Sequence, residues 1–150
     1  IIWWNLIDGW PEVSDAIVDF YFSKKLAYHY IKRTQKPLCL MIEEPGADGR
    51  HILHAVNDSR VDENVKFTVK DMYDESRIIA EGECSVCSDD NVVVAKLELI
   101  PKHFYFIEWI CSDGNKHSNH YFSDIGNIDF AKYAAAQKKC GYYQFDWLKD

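Results

Sequence analysis

The sequence lacks any run of apolar residues as long as the roughly 18 that a membrane-spanning helix requires. It also lacks an excess of basic residues, because 17 Lys and Arg stand against 24 Asp and Glu and give a formal charge of −7. Binding to a nucleic-acid backbone depends on clustered Lys and Arg. We therefore expect neither a membrane nor a nucleic acid as a partner, whereas a neutral sugar is compatible with this charge.

Cysteines are few and irregularly spaced, at positions 39, 84, 87, 111 and 140. An odd number at scattered spacings is not typical of a secreted disulfide framework, so the cysteines favour a reducing compartment. Nothing else in the sequence indicates the localisation, for which we therefore expect the cytoplasm. Cys84 and Cys87 lie three apart on a predicted strand, so their side chains point to different faces, and no second pair accompanies them. No phosphate-cradling loop or nucleophilic-serine motif occurs. We expect no metal and no cofactor.

The amino terminus also lacks a Met or a basic region ahead of its apolar residues, so we interpret the chain as a piece of a longer protein. Residues 1–6 are apolar without alternation, which predicts a strand buried on both faces. Pro11 and its neighbours end that strand, and residues 24–33 carry an apolar stripe that predicts a helix capped by Ser23 and ended by Pro37. A strand, a loop and a helix are one unit of an α/β protein, and one unit cannot fold alone.

After Pro37 the apolar pattern changes to a period of two, which is typical of half-buried strands. Seven such strands are predicted, at residues 38–42, 51–56, 65–69, 78–86, 93–99, 105–111 and 117–122. Turn residues separate them, so the region is predicted to be an antiparallel, immunoglobulin-like sandwich. A short helix over residues 129–140 should follow and end at Gly141.

Three segments together resemble glycoside hydrolase family 2, most closely its β-mannosidase-like branch. They are Trp4-Asn5-Leu6-Ile7-Asp8-Gly9-Trp10-Pro11, Ile17-Val18-Asp19-Phe20-Tyr21 and Lys25-Leu26-Ala27-Tyr28-His29-Tyr30-Ile31-Lys32-Arg33. In that family the first segment lies on the eighth strand of a (β/α)8 barrel, and the helix leads into an immunoglobulin-like domain. The resemblance implies a mainly β chain with two parts: residues 1–36, the last strand and helix of the barrel, and residues 37–150, the sandwich.

The resemblance also implies a retaining mechanism, in which two Glu about 5–5.5 Å apart form and hydrolyse a covalent glycosyl-enzyme. In the family both Glu come from earlier barrel strands, so this chain is expected to lack catalytic residues and to show no turnover alone. The whole enzyme would cleave a β-mannoside, with a β-glucuronide or β-galactoside as alternatives. Ile7 stands where the mannosidases usually have Asn, and Asn5 stands where they have Gln. These differences leave the sugar specificity of the whole enzyme undecided.

The loops at the carboxyl ends of barrel strands build the active site, so Trp4, Asp8 and Trp10 are the candidate substrate-binding residues. Trp4 would stack on the sugar, or alternatively pack in the barrel wall. Trp10 would contact an outer subsite or pack within its loop, and Asp8 would order its loop or touch substrate. Trp3 points the other way and is expected in the core. His120 is expected to form hydrogen bonds where sandwich and barrel meet.

Two other interpretations remain open: a stand-alone carbohydrate-binding module, and a protein-interaction sandwich. A binding module needs a row of exposed aromatic side chains on one sheet. In an interaction domain the first 36 residues would be a disordered linker rather than a docked piece of barrel. A Trp-rich strand separated from a barrel should also promote self-association of the chain through residues 1–10.

Overall fold

A computed structural model describes residues 3–74, 77–124, 126 and 128–142. These residues contain two helices and seven strands. In chain order they are α1 (Leu26–Thr34), β1 (Leu38–Ile42), β2 (His51–Asn57), β3 (Glu63–Asp71), β4 (Ile78–Val86), β5 (Asp90–Leu97), β6 (Phe104–Ile110), β7 (Lys116–Phe122) and α2 (Phe130–Lys139). The seven predicted strands of the sandwich and both helices are confirmed, with boundaries that differ by at most three residues. Neither helix in the described part of the chain is long and apolar enough to cross a bilayer.

The strands form two antiparallel sheets, one in the order β1-β2-β5 and the other in the order β4-β3-β6-β7. This arrangement differs from a constant-type immunoglobulin sandwich in one strand, because β4 pairs with β3 instead of lying beside β5. The prediction of an immunoglobulin-like antiparallel sandwich is confirmed.

The core between the sheets follows from the alternation of apolar residues along each strand. In β3 the side chains of Val65, Phe67 and Val69 are buried, and in β6 those of Ile107 and Trp109 are buried against them. Successive strand residues point to opposite faces, so this period of two places one apolar face of each sheet in the shared core.

Tyr105 fixes the connection between β5 and β6. Its hydroxyl donates to the carbonyl of Ile100 at 3.1 Å and accepts from the amide of the same residue at 2.7 Å. A tyrosine near the start of the sixth strand that bonds to the backbone a few residues upstream is the tyrosine corner of immunoglobulin-like sandwiches. From the sequence, Tyr105 was predicted only as an alternating strand residue, and its role in the tyrosine corner was missed.

Buried amides join the two sheets at their edges. Asn119 of β7 donates to the carbonyl of Leu40 in β1 at 3.1 Å. The fully buried Asn57 of β2 donates to the carbonyls of Val61 at 2.8 Å and Cys87 at 3.1 Å, beyond the end of β4. Because buried polar groups cost free energy when they lack partners, these satisfied amides fix how the sheets meet.

The two helices pack on the outer face of β6 and β7. Asp129 caps α2 through its carboxylate, which accepts from the amides of Ala131 and Lys132. Tyr133 of α2 packs against the ring of Phe104, which alternates with the core residues of β6. Gly141 adopts a φ of 69° after α2, as predicted for the helix stop.

Two predictions near the amino terminus are wrong. Residues 3–6 form no regular strand, and of the predicted strand Ile1 and Ile2 lie outside the described residues. Ser23 does not cap α1, whose N-cap is Lys25 with no side-chain cap. The reason is local: Ser23 closes a turn with Asp19, its amide bonding to the Asp19 carboxylate at 2.8 Å and its carbonyl accepting from the Asp19 amide at 2.9 Å.

Candidate functional site

The segment that carries the candidate site residues lies outside both sheets. Val18 is its centre: its amide donates to the carbonyl of Leu6 at 3.0 Å, and its carbonyl accepts from the amide of Asp8 at 3.1 Å. Ile7 and Val18 form a parallel bridge, and Val18 and Lys24 form an antiparallel one. Parallel pairing of this kind belongs to α/β architectures rather than to an antiparallel sandwich. The segment is therefore held by its own short-range pairing.

Asp8 is the buried anchor of this segment, with 3% of its surface exposed. Its carboxylate accepts a hydrogen bond from the Ser14 hydroxyl and forms an ion pair with the Lys25 ammonium at 2.9 Å. The bond from Ser14 and then the contact with Lys25 hold the pKa of Asp8 below its ordinary value. Asp8 therefore stays ionised and ties the loop to the start of α1.

The Lys25 side chain extends this network, because its ammonium also donates to the carbonyl of Ser14 at 3.1 Å. The Ser14 hydroxyl in turn accepts from the amide of Ala16 at 3.0 Å. The sequence analysis identified neither Ser14 nor Lys25 as a partner of Asp8. Ser14 and Lys25 lie six and seventeen residues after Asp8 in the sequence. These separations follow no helical or strand period, so they did not indicate a contact with Asp8.

The two candidate tryptophans are exposed on this anchored segment. The exposed fraction is 79% for Trp4 and 64% for Trp10. Trp3 is 50% exposed, so the expectation that it lies in the core is wrong. The reason is that, among the described residues, residues 3–6 have pairing partners along one edge only and no second layer encloses them. Of the three predicted site residues, the two Trp lie at the surface and Asp8 lies beneath it.

Other large apolar side chains share this exposure, and with Trp3, Trp4 and Trp10 they form what we term the amino-terminal apolar surface. The additional members are Leu6, Ile7, Val13, Phe20, Tyr21 and Phe22. Phe22 also adopts a left-handed backbone conformation, with a φ of 67°, which is unfavourable for a bulky residue. All nine side chains belong to residues 3–22, and exposed apolar side chains grouped in this way are typical of a surface that contacts another domain or a ligand.

The helix α1 joins this segment to the sandwich at a junction built mainly from aromatic and basic side chains. The ring of Tyr30 meets the ring of His120 edge-on with centroids 4.6 Å apart, and the Arg33 guanidinium lies 4.0 Å from the centroid of Tyr142. The Tyr30 hydroxyl contacts that of Tyr133 and accepts from Gln137 at 3.0 Å. Residues 26–34 are thus docked on the sandwich.

His120 is half-buried at this junction, but its side chain is not bonded as predicted. Its ring stacks on Phe104 with centroids 4.9 Å apart, and its Nδ1 has no hydrogen-bond partner within the described residues. Burial, with a smaller contribution from the nearby charge of Arg33, lowers the pKa of His120 to about 3. The side chain is therefore neutral and packs against aromatic rings, and its Nδ1 does not form the expected hydrogen bond within the described residues.

The described residues contain no group of three or more His, Cys, Asp or Glu side chains arranged to hold a metal ion. All five cysteines are free thiols. Burial raises the pKa of the Cys39 thiol to about 11 and that of the Cys84 thiol in the same direction. These thiols are packing groups rather than reactive ones.

No family model and no curated relative matches the sequence. The fold does match solved structures. A β-D-mannosidase from Dictyoglomus thermophilum aligns with a TM-score of 0.61 and 20% identity, over 84% of this chain and 16% of that one. The exo-chitosanase CsxA from Amycolatopsis orientalis, in complex with PNP-β-D-glucosamine, aligns with a TM-score of 0.59 and 14% identity, over 83% of this chain and 15% of that one.

The chain thus spans about a sixth of the length of these structures, and at such identities the likeness establishes the fold. The aligned 84% of the chain is more than the seven strands alone contain, so the likeness is not restricted to the sandwich strands.

Proposed function

We propose that this chain is the carboxy-terminal, non-catalytic part of a retaining β-glycosidase of the family 2 type, with a β-mannoside as the favoured substrate of the whole enzyme. The sandwich supports a catalytic (β/α)8 barrel of the same polypeptide, and residues 3–11 complete one wall of the sugar site. The observation that carries this proposal is the exposure of Trp4 and Trp10 on a segment that Asp8 anchors outside both sheets.

The chemistry of the two tryptophans fits a sugar. An indole face is apolar and rigid, so it packs against the C–H face of a pyranose at a small cost in conformational entropy. Trp4 would form the inner stacking contact and Trp10 a contact further out. Asp8, which is enclosed by Ser14 and Lys25, would act by holding the loop rather than by touching the sugar.

The amino-terminal apolar surface supports the second half of the proposal, namely contact with a barrel. Its side chains include Phe20 and Tyr21, which the family places beyond the eighth strand, and they are exposed in this chain. A surface of this kind is covered in a complete enzyme.

A stand-alone carbohydrate-binding module is the less favoured function. It requires a row of exposed aromatic side chains on one sheet, whereas the large apolar residues exposed on the described strands are aliphatic: Ile78, Val93 and Ile110. A protein-interaction domain with a disordered leader is also less favoured, because α1 is docked on β7 and α2 through Tyr30.

The proposal is tested with aryl β-mannosides, β-glucuronides and β-galactosides. The chain of 150 residues should show no turnover above a vector control on any of them. In the polypeptide that joins it to a catalytic barrel, Trp4→Ala should lower kcat/KM roughly tenfold or more, because a stacking contact is lost in the transition state.

Phe130→Ala is the matched control, since Phe130 is an equally exposed aromatic residue at the start of α2. It should leave kcat/KM unchanged. Turnover by the chain alone would contradict its non-catalytic role, and an unchanged kcat/KM in the Trp4 variant would remove residues 3–11 from the sugar site.

A further inference from the structure

A pocket of about 290 Å³ lies between the last turns of α1 and the strand β7. Lys32 and Arg33 line it from α1, Lys36 lines it from the turn after α1, and Lys116 lines it from β7. Tyr142 closes one side. None of the residues of the amino-terminal apolar surface lines this pocket, so it is separate from the proposed sugar site.

The charges of this pocket are uncompensated within the described residues. None of its four cationic side chains forms an ion pair there, whereas Lys25, Lys66 and Lys70 elsewhere each pair with a carboxylate at 2.9, 2.8 and 2.6 Å. No Asp or Glu is among the residues that line the pocket. In a chain whose formal charge is −7, four cations gathered without an acid create a local positive field.

Arg33 adds a buried component to this field. Its guanidinium lies between the rings of Tyr142 and Tyr30, 4.0 and 4.8 Å from their centroids. Its Nε and Nη2 are buried and have no hydrogen-bond partner in the part of the chain that the structure describes. A half-buried guanidinium without a countercharge has lost part of its hydration, and this burial lowers the pKa of Arg33. An anion beside this group would offset the cost.

We propose that this pocket binds the oxyanion group of a small molecule, a phosphate or a carboxylate. Lys32, Lys36 and Lys116 supply mobile point charges at the rim, and Arg33 supplies a fixed positive charge in the wall. Ammonium and guanidinium groups are the side chains that bind such oxyanions. The volume is at the lower end for ligand pockets, which suits a compact ligand rather than a polymer.

The test uses the 150-residue chain and isothermal titration calorimetry, with inorganic phosphate as one probe and citrate as the other. Sodium chloride is added to hold the ionic strength constant, because screening alone alters surface electrostatics. We expect saturable binding of at least one probe. The double variant Lys36→Gln/Lys116→Gln should weaken it about tenfold, since two of the attracting charges are lost.

Lys96→Gln/Lys138→Gln is the matched control, because it removes two exposed charges from β5 and α2, outside the pocket. It should retain the affinity of the unaltered chain, and circular dichroism should show both variants folded. Saturation by phosphate alone identifies a phosphate ligand, and saturation by citrate alone a carboxylate ligand. Non-saturating heats for both probes, or an equal loss in the control variant, would overturn the proposal.

Discussion

The sandwich and the segment of residues 3–22 are both rich in aromatic side chains but use them in opposite ways. Trp109 and Tyr105 of β6 are enclosed between two sheets, whereas Trp4 and Trp10 face outwards. The difference arises from the backbone: β6 pairs on both sides, with β3 and β7, and its sheet has a second sheet across the core. In the part of the chain that the structure describes, the segment pairs along one edge and no second layer packs on it. Whether an aromatic side chain is buried thus depends on the strands and layers around its backbone, and not on the aromatic content of the segment.

The two regions also differ in how polar groups fix them. In the sandwich, Asn57 and Asn119 join sheets that apolar packing already holds together. In the segment, Asp8 with Lys25 and Ser14 is the principal tie between loop and helix. A surface that is ordered by a buried polar anchor and yet remains uncovered is suited to contact with another domain or a ligand.

The largest expected difference between the regions is in the effect of removing an indole. Trp109→Ala should lower the free energy of unfolding by about 3–5 kcal/mol, because it leaves a cavity in a close-packed core. Trp4→Ala should change it by less than about 0.5 kcal/mol, since the side chain is exposed. Urea denaturation followed by far-ultraviolet circular dichroism measures both. Equal losses would mean that the segment belongs to the cooperative core.

Acid sensitivity is the next largest effect, and it arises at the junction of the two regions. The pKa of His120 is about 3 in the folded chain and about 6.5 when unfolded, so the unfolded state binds more protons between these values. This contribution to stability is complete above pH 6.5 and falls as the pH is lowered towards 3. We expect a loss of about 2 kcal/mol between pH 6.5 and pH 5.

His120→Phe provides the control for this effect, because a phenyl ring keeps the stacking on Phe104 but cannot take up a proton. Its free energy of unfolding should fall less steeply over the same pH range, whatever its value at pH 7. Urea midpoints at half-unit pH intervals measure the two slopes. Parallel slopes would show that His120 does not titrate on unfolding.

A smaller effect is expected from the tyrosine corner. Tyr105→Phe removes the hydroxyl that bonds both the amide and the carbonyl of Ile100, which leaves these backbone groups without those partners. The expected cost is about 1–2 kcal/mol. Tyr21→Phe removes an exposed hydroxyl from the amino-terminal segment and should cost almost nothing. Thermal denaturation of the two variants, side by side, measures the difference.

These regions also differ in how far the sequence predicted them. The strands of the sandwich were predicted because residues such as Val65, Phe67 and Val69 alternate with polar ones, and a period of two is a local property. The pairing of β4 with β3 was not predicted, because register depends on side chains that are distant in sequence.

The segment was predicted less well, because its structure depends on few and irregular contacts. The apolar residues 1–6 suggested a strand, but within residues 3–6 the pairing with Ile17 and Val18 on one edge is too little to form a regular one. Serine is a residue type that commonly caps helices, yet the backbone amide of Ser23 donates to the Asp19 carboxylate instead. The exposure of Trp3 could not be predicted, because an apolar sequence carries the same pattern whether or not its partner layer is present.

The smallest effect on the free energy of global unfolding is expected from Asp8, the anchor of the segment. Asp8→Asn removes the charge that pairs with Lys25, so the amide of Val18, which donates to Leu6, should exchange with solvent roughly tenfold faster. The urea midpoint should stay unchanged, because the sandwich does not depend on this contact. Asp15→Asn, an exposed charge change in the same loop, should alter neither quantity. In the unaltered chain the Val18 protection should be complete above the ordinary Asp pKa of about 4 and disappear as the pH falls through the lower folded pKa of Asp8. A shift of the midpoint in the Asp8 variant would show that the segment and the sandwich unfold as one unit.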